Sequence, residues 1–324
     1  MRIAVLIVTL ASSLTAFADP PADFRDLCAK RAADGDTMAI AGSNGWLFLR
    51  SELRHIGVGS FWGEAAAKVS RASKPELADP LPAIVDFHEQ LQKRGIELLV
   101  MPVPCKAFLY PEQLGGAADG RLDTVQQEFF TLLTAKGVKV LDLAEAFQAV
   151  KTKPGTPNLY CQTDTHWSPY ACEVTAGLIR QRLGLPGATG AFKVRAEKRT
   201  ITGDLAEGKG TEELPARVVE STDGSPMEDK ASAIVLLGDS HTLVFHAGGE
   251  LHGTGAGLAD QLAAELGVAV DVVGVRGSGA TAARVNLLRR AKANPAYLAG
   301  KKTIIWCFAA REFTEAQGWN KVPL

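Results

Sequence analysis

Five short apolar runs constrain the fold of this chain more than any other feature of its sequence. Each run is rich in Val, Ile and Leu on both faces, the pattern of a strand buried inside a parallel sheet. The runs are IELLVMPV (96–103), VKVLDL (138–143), SAIVLLGD (232–239), VAVDVVGV (268–275) and KTIIWCFA (302–309). Segments with helical spacing alternate with them, at 82–95, 122–137, 168–184 and 281–295. The sequence therefore predicts an α/β fold, with a mostly parallel sheet covered by helices on both faces.

Two regions interrupt this alternation. Residues 19–80 contain the strand-like SNGWLFL (43–49) and little else with the pattern of a helix or a strand. A polar insertion at about 186–231 carries TITGDLAEGKG (200–210). A segment this long without a regular pattern is usually functional or mobile, so the insertion either roofs a site or is a mobile surface segment.

The first residues, MRIAVLIVTLASSLTAFADP, have the composition of a secretory signal peptide. An apolar run follows Arg2, and Ala16 and Ala18 supply the small residues of a cleavage site. We expect residues 1–18 to be a signal peptide and residues 19–324 to form a single catalytic domain. The alternative is an uncleaved membrane anchor. Either reading predicts an exported protein.

Charge and cysteine content narrow the classes of function. A net charge of −1 gives no overall field for binding nucleic acid, so we expect no nucleic-acid partner. The five cysteines allow up to two disulfides in an oxidising compartment. Cys161 and Cys172 are one candidate pair, although no spacing rule fixes the pairing. Cysteines this sparse do not make a disulfide scaffold, so a hydrophobic core must hold the fold.

The run SAIVLLGDSHT (232–242) ends a predicted buried strand in Gly-Asp-Ser. Ligands of open α/β sheets bind at the carboxyl ends of the strands, which places the Ser240 hydroxyl at the mouth of the sheet. Serine is a weak nucleophile, so it needs a general base within hydrogen-bond reach and a group that orients this base. Asp239 is expected to hydrogen-bond the loop that presents Ser240.

Asp164 and His166 form a D-x-H pair just before a predicted helix that begins at Ser168-Pro169. Three readings are open for the pair: a helix cap, part of a metal site, or two members of a catalytic triad. In an extended segment, residues i and i+2 can face the same way, so the Asp carboxylate can orient the His ring. Together with the strand that ends in Gly-Asp-Ser, the pair favours a triad of Ser240, His166 and Asp164.

These two motifs resemble the SGNH hydrolase superfamily, but they occur in reversed order along the chain. The reversed order, TDTHWSPYACEVTAGLI (163–179), NGWLFL (44–49) and VPCKAFLYPEQL (103–114) resemble the AlgX/AlgJ-type alginate O-acetyltransferase family. The resemblance implies a circularly permuted SGNH hydrolase-like three-layer sandwich. It also implies an acetyl group carried on Ser240, with His166 as the base and Asp164 as its orienting group.

A tetrahedral intermediate needs at least two N–H donors. The Ser240 N–H is the first candidate. The loop VRGSGAT (275–281) follows another strand, and Gly277 and Gly279 allow close backbone approach, so we expect the second donor there. The alternative reading of this loop is a plain turn from strand to helix.

Substrate contacts are predicted for three further residues. Arg276 and Arg311 stand at strand ends, where they would bind the carboxylate of an acidic sugar or pair with structural acids. Trp167 would stack on a sugar ring or simply wall the pocket.

His241, His246 and His252 offer a zinc site as an alternative, but the spacing H-x4-H-x5-H fits no common ligand pattern. We expect no metal and no other cofactor.

The function that the resemblance implies is an exported O-acetyltransferase acting on hydroxyls of an exopolysaccharide in the periplasm. A membrane-bound O-acyltransferase would supply the acetyl groups, and other exopolysaccharide assembly proteins would be partners. A polysaccharide acetylesterase would use the same triad, because an acyl-enzyme reacts with whichever acceptor reaches it, water or sugar. A third alternative is a non-catalytic polysaccharide-binding assembly component.

Overall fold

A five-stranded parallel sheet forms the centre of the protein in the computed structural model, which describes residues 20–117, 120–187 and 190–324. The sheet has the order β4-β3-β9-β7-β8. The strands of the described residues are β1 (Ala39–Ala41), β2 (Leu47–Leu49), β3 (Glu97–Val103), β4 (Lys139–Val140), β5 (Phe192–Ile201), β6 (Glu212–Ser221), β7 (Ile234–Gly238), β8 (Asp271–Gly274) and β9 (Thr303–Ala309). All five predicted apolar runs therefore contribute a strand to this sheet, and the predicted α/β fold is confirmed.

Helices surround the sheet. The α-helices of the described residues are α1 (Pro20–Ala33), α2 (Arg50–Gly57), α3 (Ala66–Val69), α4 (Pro80–Gln92), α5 (Lys106–Leu109), α6 (Pro111–Leu114), α7 (Thr124–Ala135), α8 (Ala144–Lys151), α9 (Pro169–Leu183), α10 (Leu258–Leu266), α11 (Thr281–Ala293) and α12 (Glu312–Glu315). Every residue of β7 is buried, as is every residue of β3 and β9 after the first, so both faces of the sheet are covered.

Helix α9 shows why its boundaries could be read from the sequence. The Ser168 hydroxyl accepts a hydrogen bond from the Ala171 N–H, and Pro169 occupies the first helical position. Gly184 ends the helix in the left-handed region, with φ of 63°. The helix therefore begins directly after the D-x-H segment, as predicted.

The amino-terminal region has more regular structure than its sequence suggested. We expected little besides SNGWLFL in residues 19–80, but α1 and α2 both lie there. Helix α1 buries only Phe24 and Cys28, too few apolar residues to reveal a helical period. Helix α2 buries Glu52 and His55 on its inner face, so polar side chains occupy positions where the pattern expects apolar ones.

The polar insertion contains an antiparallel hairpin, β5-β6, paired from Phe192–Ser221 to Ile201–Glu212. Strand β6 packs against α9 and α10. Its inward residues Leu214, Ala216 and Val218 alternate with outward ones, which is a strand signal within an otherwise polar sequence. The loop between the two strands lies against the D-x-H segment, as described below.

All five cysteines are buried and free. The expectation of up to two disulfides is therefore wrong for this structure, and Cys161 is not bonded to Cys172. Cys161 instead donates a weak hydrogen bond from its Sγ to the Trp167 carbonyl, at 3.5 Å. The predicted signal peptide, residues 1–18, lies outside the described residues. No helix of the described segments is long and apolar enough to cross a membrane.

Candidate active site

Ser240, His166 and Asp164 are joined by two short hydrogen bonds. His166 Nε2 lies 2.7 Å from Ser240 Oγ, and His166 Nδ1 lies 2.7 Å from Asp164 Oδ1. Asp164 is fully buried and His166 nearly so, whereas Ser240 is half-buried and can be reached from outside. This is the geometry that a nucleophile, its general base and an orienting carboxylate require.

The end of β7 places Ser240 at the carboxyl edge of the sheet. Ser240 opens a single 3₁₀ turn, Ser240–Thr242, and Asp239 caps this turn by accepting a hydrogen bond from the His241 N–H at 2.9 Å. The second carboxylate oxygen of Asp239 accepts the Ala309 N–H of β9 at 2.7 Å. A side chain at Gly238 would lie 1.7 Å from the Cys307 carbonyl oxygen, so only glycine fits before the turn. The Ser240 N–H, first in the turn, has no acceptor within it.

The carboxylate of Asp164 accepts four hydrogen bonds. Oδ1 accepts the N–H and the Nδ1 of His166, at 2.9 and 2.7 Å. Oδ2 accepts His252 Nε2 at 2.8 Å and the Asp204 N–H at 2.9 Å. Burial alone would raise the pKa of Asp164, but the hydrogen bonds from His166 and His252 outweigh it and hold the pKa below its ordinary value. Asp164 is therefore an anion that can stabilise a protonated His166.

A buried lysine, Lys106, holds the D-x-H segment in place. Lys106 Nζ donates to the carbonyls of Leu47, at 2.8 Å, and Asp164, at 2.6 Å. Burial lowers the pKa of Lys106, and the Glu52 carboxylate opposes this shift. Lys106 belongs to VPCKAFLYPEQL, one of the segments that carried the family resemblance, but no pattern in the sequence indicates a role for it.

The β5-β6 hairpin also holds the D-x-H segment, through its loop and the first residue of β6. The Glu212 carboxylate accepts the Gln162 N–H at 2.8 Å, and the Asp204 carboxylate accepts the Thr165 N–H at 2.7 Å. Gly203 lies so close to Thr163 that a side chain at 203 would meet the Thr163 carbonyl oxygen at 2.0 Å. TITGDLAEGKG thus supports the triad loop directly.

His241 forms a second D-x-H pair with Asp239. Its Nδ1 lies 3.1 Å from Asp239 Oδ1, and its ring centre lies 5.0 Å from that of His166 and 5.5 Å from that of Trp167. Burial lowers the pKa of His241, and Asp239 opposes this only in part. His241 therefore adds no positive charge beside His166 at neutral pH.

The predicted oxyanion loop lies next to the Ser240 turn. A side chain at Gly279 would meet the Asp239 N at 2.9 Å, and the Gly279 carbonyl accepts the Trp306 indole N–H at 3.0 Å. Gly277 has φ of 95°, which favours glycine. Between them, the Ser278 hydroxyl donates to the Glu312 carboxylate. The oxyanion role of Gly277, Gly279 and the Ser240 N–H remains a prediction.

The three predicted substrate contacts differ in position. Trp167 is fully buried, so it cannot stack on a sugar ring, and the prediction of a sugar contact at this residue is wrong. It walls the site behind His241. Arg276 is exposed and forms an ion pair with Glu250 at 2.8 Å. Arg311 lies among acids: burial would lower its pKa, but Asp239 and its other acidic neighbours raise it.

The histidines considered as zinc ligands do not converge. His241 pairs with Asp239, His246 with Asp260 at 2.9 Å, and His252 with Asp164. Asp164, His166 and Asp204 do bring potential ligand atoms close together. However, the facing atoms of Asp164 and His166 already bind one another, which suits a triad better than a metal site.

The parallel sheet carries a chain of hydrogen bonds from Ser240 through His166 to Asp164 at its carboxyl edge, which places the protein in the class of α/β folds whose site geometry suits serine-dependent acyl transfer. Residues 39–310 match the family described as "SGNH hydrolase-like domain, acetyltransferase AlgX". The match covers most of the chain, so the chain belongs to this family.

Individual relatives agree with the family. The chain is 28% identical over 183 residues to the probable alginate O-acetylase AlgJ of Pseudomonas aeruginosa. The aligned segment covers 53% of this chain and 41% of the relative. For AlgJ of Azotobacter vinelandii the identity is 28%, covering 45% of this chain and 34% of the relative. The matched segments thus span less than half the length of these relatives.

Two solved structures share the fold. The O-acetyltransferase domain of Pseudomonas putida AlgJ superposes with a TM-score of 0.62 at 20% identity, over 86% of this chain and 93% of that domain. Pseudomonas aeruginosa AlgX gives a TM-score of 0.57 at 17% identity, over 90% of this chain and 66% of AlgX. At these identities the likeness establishes the fold.

Proposed function

We propose that this chain is an exported O-acetyltransferase that moves acetyl groups onto hydroxyls of an exopolysaccharide through an acetyl-serine intermediate. The observation that carries the proposal is the pair of 2.7 Å hydrogen bonds from Ser240 through His166 to Asp164. Family membership supports acetyl as the transferred group, and the names of the AlgJ relatives support alginate or an alginate-like polymer as the acceptor.

In the first half-reaction, Ser240 Oγ attacks the carbonyl carbon of the acetyl donor while His166 Nε2 takes the hydroxyl proton. Asp164 stabilises the imidazolium that forms. The tetrahedral oxyanion would be met by the Ser240 N–H and by an N–H of the loop containing Gly277 and Gly279. Collapse of this intermediate breaks the bond to the leaving group, which receives the proton from His166.

In the second half-reaction, a sugar hydroxyl attacks the acetyl-serine. His166 removes the proton of this hydroxyl and returns it to Ser240 Oγ as the ester bond to the serine breaks. The products are an acetylated sugar and free Ser240. Water in place of the sugar would give acetate, which is the acetylesterase alternative. The difference lies in which acceptor the site admits.

The expected partners are those that the family resemblance implies. Acetyl groups made inside the cell must be carried across the inner membrane before an exported enzyme can use them. A membrane-bound O-acyltransferase would supply them in the periplasm, and other exopolysaccharide assembly proteins would present the polymer.

The test compares wild type with Ser240→Ala, using 4-nitrophenyl acetate as donor and alginate oligosaccharides as acceptors. Acetylated oligosaccharides from the wild type, and none from the variant, are expected. Acetate release with no transfer to any oligosaccharide would assign the esterase function instead. Equal inertness of wild type and variant would point to a binding protein.

A further inference from the structure

A second histidine, His252, contacts the triad carboxylate. Its Nε2 lies 2.8 Å from Asp164 Oδ2, on the oxygen opposite the one that binds His166. The His252 side chain is 12% exposed, so the contact is largely sheltered from water. Because carboxylate oxygens only accept hydrogen bonds, the Nε2 of His252 must carry a proton.

The segment that carries His252 adopts a backbone conformation unusual for its residues. His252 has φ of 65° and Phe245, at the other end of the segment, has φ of 60°. Residues other than glycine rarely adopt the left-handed region, phenylalanine less readily than histidine, and such positions concentrate at functional sites. A backbone hydrogen bond of 2.7 Å from the Phe245 N–H to the Leu251 carbonyl closes the segment.

One contact of the His252 ring and one hydrogen bond to the backbone after it hold this residue in front of Asp164. The ring packs against Phe245 with 5.5 Å between ring centres. Just beyond His252, the Arg199 guanidinium of β5 donates to the Thr254 carbonyl at 2.7 Å, which ties the segment to the hairpin. The strained backbone and these contacts direct Nε2 at the carboxylate.

We propose that His252 is a positioning residue for the acyl-transfer reaction, which holds Asp164 so that its Oδ1 faces His166. The inference rests on the proposed function, because it assigns His252 a role in the same triad. His252 donates to Oδ2 together with the Asp204 N–H, and the two donors oppose rotation of the carboxylate away from His166. It also shares the negative charge that would otherwise concentrate on Oδ1.

Loss of this donor has two separable effects. With only the Asp204 N–H left on Oδ2, the carboxylate is held less firmly and orients His166 less well, so kcat falls. KM stays unchanged because His252 is not placed against substrate. A more concentrated charge on Oδ1 also favours the protonated form of His166, which moves the acid limb of the pH profile to higher pH. The charged groups that the contacts bring to this region are Asp164, which binds His252, and Arg199 of β5, which binds the Thr254 carbonyl. Asp204 donates its N–H to Asp164, and Glu250 lies in the turn that ends at His252.

The experiment measures hydrolysis of 4-nitrophenyl acetate against pH for wild type, His252→Ala and His252→Gln. The Gln amide can place an N–H donor near the position of Nε2. His88→Gln is the matched control, because it makes the same change at the other end of the sheet. His88 lies on α4 beside Gly137, at the amino end of β4, whereas the triad lies at the carboxyl edge. The rate of Ser240 modification by phenylmethylsulfonyl fluoride, followed by intact mass, gives a second readout that needs no acceptor.

We expect His252→Ala to lower kcat by about tenfold to a hundredfold, the worth of one hydrogen bond to a charged group, with KM within about twofold. Its acid limb should shift to higher pH and sulfonylation of Ser240 should slow in parallel. His252→Gln should recover most of kcat, and His88→Gln should match wild type.

Two results would overturn the inference alone: an active wild type with an unchanged His252→Ala, or equal losses in the Ala and Gln variants with an unshifted pH profile. A wild type that neither hydrolyses the ester nor reacts at Ser240 would instead refute the proposed function, and the inference with it.

Discussion

The Asp164 carboxylate joins three separate parts of the chain at one point. Its donors come from its own loop through His166, from the segment 245–252 through His252, and from the hairpin loop through the Asp204 N–H. A fully ionised carboxylate has about four lone-pair sites, and all four are used here. Asp164 therefore fixes the His166 ring and links the surrounding segments.

Asp164→Asn tests the orienting role directly. An amide nitrogen facing His166 Nδ1 favours the wrong tautomer, so kcat should fall by about 10³- to 10⁴-fold with little change in fold. Ester hydrolysis and circular dichroism give the two readouts. Asp86→Asn on α4, where Asp86 binds Gln90, is the control and should keep wild-type activity. A folded Asp164→Asn variant with more than about a tenth of wild-type kcat would contradict the assignment.

Lys106→Met tests the support beneath the triad loop. The change removes the buried donor from the Leu47 and Asp164 carbonyls, and each orphaned carbonyl is costly. We expect a loss of about 2 kcal/mol in the free energy of unfolding, together with lower kcat. Urea unfolding measures the first quantity. Lys151→Met, at a more exposed lysine, should cost less than about 1 kcal/mol, and equal costs would refute the special role of Lys106.

At the residue scale, the sequence singled out residues that stand in a local pattern. Ser240 follows an apolar strand, and Asp164 and His166 precede a Ser-Pro helix start. His252 and Lys106 could not be predicted, because they reach Asp164 across 88 and 58 residues of sequence. Nothing in the neighbourhood of either residue indicates that partner.

At the scale of elements, the β5-β6 hairpin is part of the site. It packs against the triad segment through Gly203 and Asp204 of its loop and through Glu212, the first residue of β6. The hairpin also packs on α9, the helix that starts directly after the triad segment. The triad loop is thus enclosed between the hairpin and Lys106.

Gly203→Ala tests this enclosure. The new methyl group would lie 2.0 Å from the Thr163 carbonyl oxygen, so the hairpin loop must move and the Asp204 N–H must leave Asp164. Activity should fall at least about tenfold, the loss expected for one charge-assisted hydrogen bond. Gly177→Ala in α9, where an added methyl meets nothing within 4 Å, is the control. It should keep full activity and gain about 0.5–1 kcal/mol of stability; matching activity in the two variants would refute the enclosure.

Helices and strands could be predicted from the sequence where the spacing of apolar residues agrees with the residues that start and stop an element. The five central strands and α9 meet this condition. Helix α1 has too few buried apolar residues, and α2 buries Glu52 and His55, because tertiary contacts rather than a local pattern settle which side chains turn inward. The hairpin has an alternating strand only in β6, within a sequence that is polar overall.

At the scale of the whole molecule, two buried groups shape the dependence of stability on pH. Burial raises the pKa of Glu312 from 4.5 to about 7. The carboxylates of Asp260 and Glu228 overcome burial and raise the pKa of His246 to about 9. In both cases the folded state binds its proton more tightly than the unfolded state, so stability falls as pH rises. The falls span about pH 4.5–7 for Glu312 and about pH 6.5–9 for His246.

Glu312→Gln should remove the fall in stability between about pH 4.5 and pH 7. A shift of this size corresponds to about 3 kcal/mol between pH 4.5 and pH 7, to order of magnitude. Urea unfolding at both pH values should therefore show a smaller difference for the variant than for wild type. His246→Gln serves as a comparison, because it should leave this acidic window unchanged and flatten the profile above pH 7. The same pH dependence in Glu312→Gln and wild type would show that Glu312 does not cause the fall.

The most direct test of the central claim is the detection of an acetyl group on Ser240. Wild type and Ser240→Ala would be mixed with 4-nitrophenyl acetate, quenched in acid and examined by intact mass and peptide mapping. We expect one added acetyl group on wild type, located on the peptide that contains Ser240, and none on the variant. Equal acetylation of the variant, or an acetyl group located at another residue of the wild type, would contradict the account.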